Sequence, residues 1–193
     1  MFMNSALKNN KPILLVGNSP NVKDHRLGTF IDPKHFNIIR FNKQPISGYE
    51  AYVGRHTTYR VVNGGLWMLE NNAIPTDHIL IAEPKQSLLT FQQILRKVPT
   101  KPFHSVHIVP DYTGDYNTKI WPTSGLIMIS YFLRFYKRIY IYGFSFDNTH
   151  YFEQNKGCTA HNYEAERQIV SRLQQEGKVI YLTDQVHLPE IKK

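Results

Sequence analysis

Ile13-Leu14-Leu15-Val16-Gly17-Asn18-Ser19-Pro20-Asn21 is the stretch that decides the fold. Four apolar residues ended by Gly-Asn-Ser-Pro read as a fully buried strand running into a sharp turn. In an α/β sheet, such a strand and Gly turn lie where a nucleotide phosphate is bound, because glycine lets the backbone approach closely. An ordinary strand-turn is the competing reading of this stretch alone, and later segments decide between them.

Working outward, short apolar runs alternate with helical patterns. Strands are expected at 37–41, 59–62, 78–82, 105–109, 138–143 and 179–182. A helix is expected over 87–98, with Leu88, Phe91, Ile94 and Leu95 on one face. Pro122 opens an almost wholly apolar helix to Phe135 that must be buried on most sides, and a further helix runs from Tyr163 to Gln175. Strands alternating with helices imply an α/β domain: a single Rossmann-like, mostly parallel twisted sheet flanked by helices on both faces. No linker, repeat or low-complexity segment interrupts the 193 residues.

Composition narrows the function classes. With 41% hydrophobic and 20% charged residues the chain is globular. Twelve Tyr and 11 Phe suit a cleft as well as a core. The single Cys158 excludes an internal disulfide and fits a reducing compartment. No apolar run has the length of a membrane span, and the polar start does not read as a signal peptide, so a cytoplasmic protein is expected. The net charge is +8. Residues 1–60 carry nine Lys/Arg (Lys8, Lys11, Lys23, Arg26, Lys34, Arg40, Lys43, Arg55, Arg60) against Asp24, Asp32 and Glu50. That excess suits a solvated face, a small anionic ligand, an anionic membrane surface touched peripherally, or nucleic acid. The basic residues stand singly, which argues against nucleic acid.

Three constellations carry chemistry. Gly17-Asn18-Ser19 and Arg40-Phe41-Asn42 end two strands, and their Asn side chains can either hold phosphate and ribose or simply form turns. Trp121-Pro122-Thr123-Ser124-Gly125 offers a hydroxyl-rich helix start, suited to a phosphate or to plain capping. His150-Tyr151-Phe152-Glu153 with His161 and Glu166 gathers titratable groups for acid and base work. Residues five apart on a helix point about 140° apart, so His161 belongs at the helix start facing a cleft, with Glu166 turned toward the body.

Together these segments resemble the four sialylmotifs of glycosyltransferase family 29, the sialyltransferases. The large motif is similar to Leu15 through Ile31-Asp32, Arg40-Phe41-Asn42, Pro45, Gly48-Tyr49-Glu50 and Val53-Gly54-Arg55-His56-Thr57-Thr58. The small motif is similar to Pro122-Thr123-Ser124-Gly125-Leu126-Ile127-Met128 through Ile141-Tyr142-Gly143-Phe144. The third is similar to His150-Tyr151-Phe152-Glu153, and the fourth, a His and a Glu separated by four residues, to His161 and Glu166.

The resemblance implies a variant GT-A fold and metal-independent, inverting transfer of sialic acid from CMP-sialic acid to a hydroxyl of an acceptor glycan. CMP-Kdo-dependent transfer and a non-catalytic nucleotide-binding relative are the rival readings. The absence of an Asp-x-Asp pair agrees with the lack of a metal or other cofactor. By position, His161 would be the base and His150 would contact the donor phosphate. Gly17, Asn18, Ser19, Asn42, Thr123, Ser124, Gly125, Gly143 and Phe144 would frame CMP. Tyr151, Glu153 and Glu166 would be structural. In animal members a disulfide joins the positions held here by Ile13 and Tyr136, so packing must replace it. The anchor and stem of those members are also missing, which points to a bacterial or otherwise soluble enzyme of undetermined oligomeric state.

Overall fold

The computed structural model describes residues 11–31, 35–62, 78–82, 105–116, 121–147, 149–152 and 161–183. The expected helix at 87–98, together with Asp32 and Glu153, lies outside them. Seven strands form one sheet: β1 (Ile13–Val16), β2 (Asn37–Phe41), β3 (Tyr59–Val62), β4 (His78–Ala82), β5 (Ser105–Val109), β6 (Ile139–Tyr142) and β7 (Val179–Tyr181). Their order is β5-β4-β3-β2-β1-β6-β7, and every pairing is parallel. The fold is therefore α/β with a wholly parallel sheet. Continuous apolar runs such as Ile13–Val16, buried at every position, are what a sheet covered on both faces requires.

Alternation along the strands separates two cores. Ile13, Leu15, Ile39, Val61 and Ile141 face one side with helices α2 (Ser124–Phe132) and α3 (Tyr163–Gln175). Leu14, Val16, Ile38 and Tyr142 face the other, covered by Val22 of a 3-10 turn (Pro20–Asp24), by Leu27 and Ile31, and by Val53 of the one-turn helix α1 (Glu50–Val53). Among the described residues the second face thus carries less helix than expected. Ile13 and Tyr136 both pack in the first core.

Helix α2 is buried from Leu126 through Phe132, as its almost wholly apolar sequence demands, and the polar side chain of Ser130 donates to Ile127 O at 2.8 Å. It ends before Phe135 because the chain tightens into three-residue turns there: Arg134 N–H donates to Tyr131 O at 3.1 Å and Phe135 N–H to Phe132 O at 3.0 Å. In α3, Ile169, Val170 and Leu173 form the buried stripe. Among the described residues no helix is long and apolar enough to cross a membrane.

The basic first third is not all surface. Lys23, Arg26, Lys43 and Arg55 are exposed, whereas Arg40 and Arg60 are buried within β2 and β3. A parallel strand keeps its side chains on covered faces whatever their charge, so charge counting alone misplaces these two.

Candidate active site

The order reverses at β1, with β2 on one side and β6 on the other. Beyond the carboxyl ends of strands at such a switch point an α/β sheet leaves a crevice. A cleft of about 430 Å³ lies there, lined by Gly17, Asn18, Ser19, Asn42, Thr123, Ser124, Gly125, Gly143, Phe144, His150 and His161, among others. Every described residue expected to bind donor or act in catalysis meets in this one cleft. Tyr151 and Glu166 lie buried behind it.

The β1 and β6 turns interlock. Gly17 N–H donates to Tyr142 O at 2.7 Å and Ser19 N–H to Gly143 O at 2.9 Å. A Cβ on Gly17 would stand 2.3 Å from Gly143 O, so no larger residue fits. Gly143 itself adopts φ +72°, a conformation glycine takes without penalty. From this junction Asn18 enters the cleft, and Asn42 enters from the end of β2 at φ 47°. Asparagine tolerates that left-handed conformation better than most residues. Among the described residues the Oδ1 atoms of both are buried and have no hydrogen-bond partner. Both side chains line the cleft, and a carboxamide can donate to a phosphate oxygen as well as accept from a hydroxyl.

The opposite wall is the start of α2. Thr123 caps it, its Oγ1 accepting from Leu126 N–H at 3.2 Å. The first-turn amides of Ser124 and Gly125 face no carbonyl of a preceding turn, which leaves them and the positive helix end beside the cleft. Phe41, Phe144 and Phe146 line the cleft as an aromatic set, with Phe144 5.8 Å from each neighbour. Phe146 holds φ 54°, an outlier for an aromatic residue. Arg167 secures it by donating to Phe146 O at 3.3 Å. Asp147 organises the adjoining loop, accepting from Ser145 Oγ at 2.5 Å and from Thr149 Oγ1 at 2.6 Å. These hydrogen bonds hold its carboxyl below the ordinary carboxylate range against the opposing effect of partial burial, the largest single influence.

His161 precedes α3, whose cap is Asn162, so it stands free of the regular helix. Its Nδ1 lies 2.9 Å from Trp121 O. A carbonyl only accepts, so Nδ1 donates, and in the neutral imidazole Nε2 keeps its lone pair. Glu166 is completely buried beneath. It accepts from Thr123 N–H at 2.7 Å and Thr123 Oγ1 at 2.6 Å. Burial raises its pKa, and the Thr123 hydrogen bonds and the His161 charge work in the opposite direction. His150 lies across the cleft, stacked on Phe152 at 5.3 Å.

Sequence reading passed over Ser145, Phe146, Thr149 and Tyr163 as cleft residues, and Gln44 and Arg60 as supports behind it. The loop residues follow no periodicity. The Ser-x-Asp-x-Thr spacing of 145–149 was the available signal for an Asp-centred turn.

The glycosyltransferase family 29 (sialyltransferase) model matches residues 11–112 and 80–178. The chain belongs to glycosyltransferase family 29. Its similarity to individual members is distant. It is 24% identical over 182 residues to mouse CMP-N-acetylneuraminate-beta-galactosamide-alpha-2,3-sialyltransferase 1, covering 82% of this chain and 53% of that one. It is 27% identical over 187 residues to bovine beta-galactoside alpha-2,6-sialyltransferase 2, covering 76% and 38%. The chain thus spans about half or less of the curated relatives' length. A crystal structure of a mammalian sialyltransferase in complex with Gal-beta-1-3GalNAc-ortho-nitrophenol superposes with a TM-score of 0.64 at 21% identity. That superposition covers 90% of this chain and 69% of the other, and it establishes a shared fold.

Proposed function

We propose that this family 29 chain is a metal-independent, inverting sialyltransferase that moves sialic acid from CMP-sialic acid to a hydroxyl of an acceptor glycan. The observation that carries the reading is that His161, held through Nδ1, shares one cleft with Asn18, Asn42 and the start of α2. Nε2 of His161 takes the acceptor proton as that hydroxyl attacks the anomeric carbon from the face opposite CMP. The bond from that carbon to the phosphate oxygen breaks with its electron pair leaving on CMP. His150 and the first amides of α2 stabilise the departing charge. Asn18 and Asn42 hold the phosphate and ribose of CMP, their amide N–H groups donating to phosphate oxygens and their oxygens accepting from ribose hydroxyls, and Phe144 lies beside the nucleotide. No carboxylate pair is assigned a metal-bridging role, and the donor needs no cofactor.

The exposed Lys23, Arg26, Lys43 and Arg55 favour anionic partners, an anionic membrane surface among them. A cytoplasmic setting is proposed on the single cysteine.

The test is product analysis with CMP-sialic acid or CMP-Kdo, with and without β-galactoside acceptors, in the presence of excess EDTA. Release of CMP with a sialylated product, undiminished by EDTA, is the expected result. Turnover of CMP-Kdo alone would reassign the donor, and activity abolished by chelation would remove metal independence. Binding of CMP without turnover of either donor would leave a nucleotide-binding relative.

A further inference from the structure

Two arginines stand side by side inside the sheet. Arg40 of β2 is in register with Arg60 of β3, and they are 0% and 1% exposed. Among the described residues neither meets a carboxylate. Arg40 Nε donates to His56 O and Thr57 Oγ1, both at 3.1 Å, and its Nη2 donates to Val53 O and Gly54 O. Arg60 Nη1 donates to Gln44 O at 3.1 Å and Asn42 O at 3.3 Å. Among the described residues Arg40 Nη1 and Arg60 Nε have no hydrogen-bond partner. Burial lowers their pKa values to about 9 and about 10, so both remain charged at neutral pH. Burying an uncompensated charge is expensive, and an apolar residue would complete the sheet more favourably. Sheet packing therefore does not account for the pair.

Arg60 reaches the cleft through a single turn. It holds the carbonyls of Asn42 and Gln44, while Tyr151 donates its hydroxyl to Pro45 O at 2.5 Å. Gln44 Nε2 in turn donates to Gly17 O at 2.6 Å, tying the Asn42 turn to the one that carries Asn18. The two Asn residues are thus set by one buried network whose formal charges, among the described residues, are positive.

We propose that Arg60 is a positioning residue that makes the Asn18–Asn42 end of the cleft selective for an anionic group. It clamps the Asn42–Pro45 turn from beneath and leaves its charge directly behind Asn42. It touches no ligand and acts through Asn42 and Gln44. The inference rests on the CMP-sugar reading and deepens it, since it seats the donor phosphate rather than the base nearest this turn.

Isothermal titration of the full chain with CMP and with neutral cytidine tests it. The wild-type protein should prefer CMP. Arg60→Met should weaken CMP by about tenfold, as loss of a buried charge near an anion does, with cytidine little changed. Arg60→Lys restores charge but not the fork. A buried lysine loses its proton more readily than arginine. The CMP preference of this variant should therefore fade between about pH 7 and 8.5 while the wild type stays flat. The other titratable groups facing Arg60 are Arg40 and Tyr151, present in both proteins. Equal losses for CMP and cytidine, or a preference unchanged in both variants, would overturn the inference and leave the donor reading standing. Absence of CMP binding by the wild type would overturn both. Should Arg60→Met fail to fold, the pH series of Arg60→Lys decides alone.

Discussion

Thr123 and Glu166, 43 residues apart in sequence, are joined by two hydrogen bonds from one residue to one carboxylate: N–H to Oε1 at 2.7 Å and Oγ1–H to Oε2 at 2.6 Å. The same Thr123 oxygen accepts from Leu126 N–H. Glu166 of α3 therefore orients the residue that caps α2, and with it the amides that face the cleft.

The pH dependence of stability follows from this buried carboxylate. Its native pKa lies above the ordinary 4.5, so the folded state binds its proton more readily than the unfolded chain. The corresponding stabilisation is complete below 4.5 and is lost as pH rises through the native value. Urea unfolding of wild type and Glu166→Gln between about pH 4 and 7 should show the wild type losing stability relative to the variant as pH increases. Parallel curves would remove Glu166 as the titrating group.

The two histidines should separate in kinetics. His161→Ala should lower sialyl transfer by about 10²–10⁴-fold, the usual loss with a general base, with CMP affinity nearly unchanged. His150→Ala should have the smaller effect on turnover. Near-normal transfer by the His161 variant, or loss of CMP affinity in proportion to rate, would reject the base assignment.

Asn42→Ala should weaken CMP binding by about 1–3 kcal/mol, the typical consequence of leaving a polar partner unanswered. Alanine also tolerates the left-handed backbone less well, so circular dichroism of the free variant belongs beside the titration. An intact fold with unaltered affinity would reduce Asn42 to a turn former.

Gly17→Ala should destabilise the protein by about 3 kcal/mol or prevent folding, because the added methyl collides with backbone that cannot yield. Gly177→Ala is a useful contrast, since its Cβ would meet nothing within 4 Å and only the φ of +68° opposes it. Equal melting temperatures for wild type and the Gly17 variant would mean the β1 and β6 turns are not interlocked.

All seven strands could be read from sequence because each is built around a short apolar run, and such runs need no knowledge of their neighbours. Arg40 and Arg60 were the exception: they occupy strand positions whose burial is imposed by the layers around them. Motif residues such as Asn18 and His161 were legible by type and spacing. Their convergence depends on strand order, with β6 inserted beside β1, and local pattern does not encode that order. The Gln44 to Gly17 tie is equally invisible in one dimension, because it joins two loops through a side chain of ordinary polarity.

The pairing of β1 with β6 brings Leu14 beside Tyr140, about 125 residues later in the chain. Closing so long a loop is entropically costly, and sheets built on distant pairings assemble slowly. A nascent chain can lay β1 through β5 side by side before β6 has been synthesised, but the cleft draws one wall from each side of that last junction. Ligand binding therefore reports closure of the β1–β6 junction. A CMP analogue added during refolding should bind only in the slowest phase, after most secondary structure has already formed.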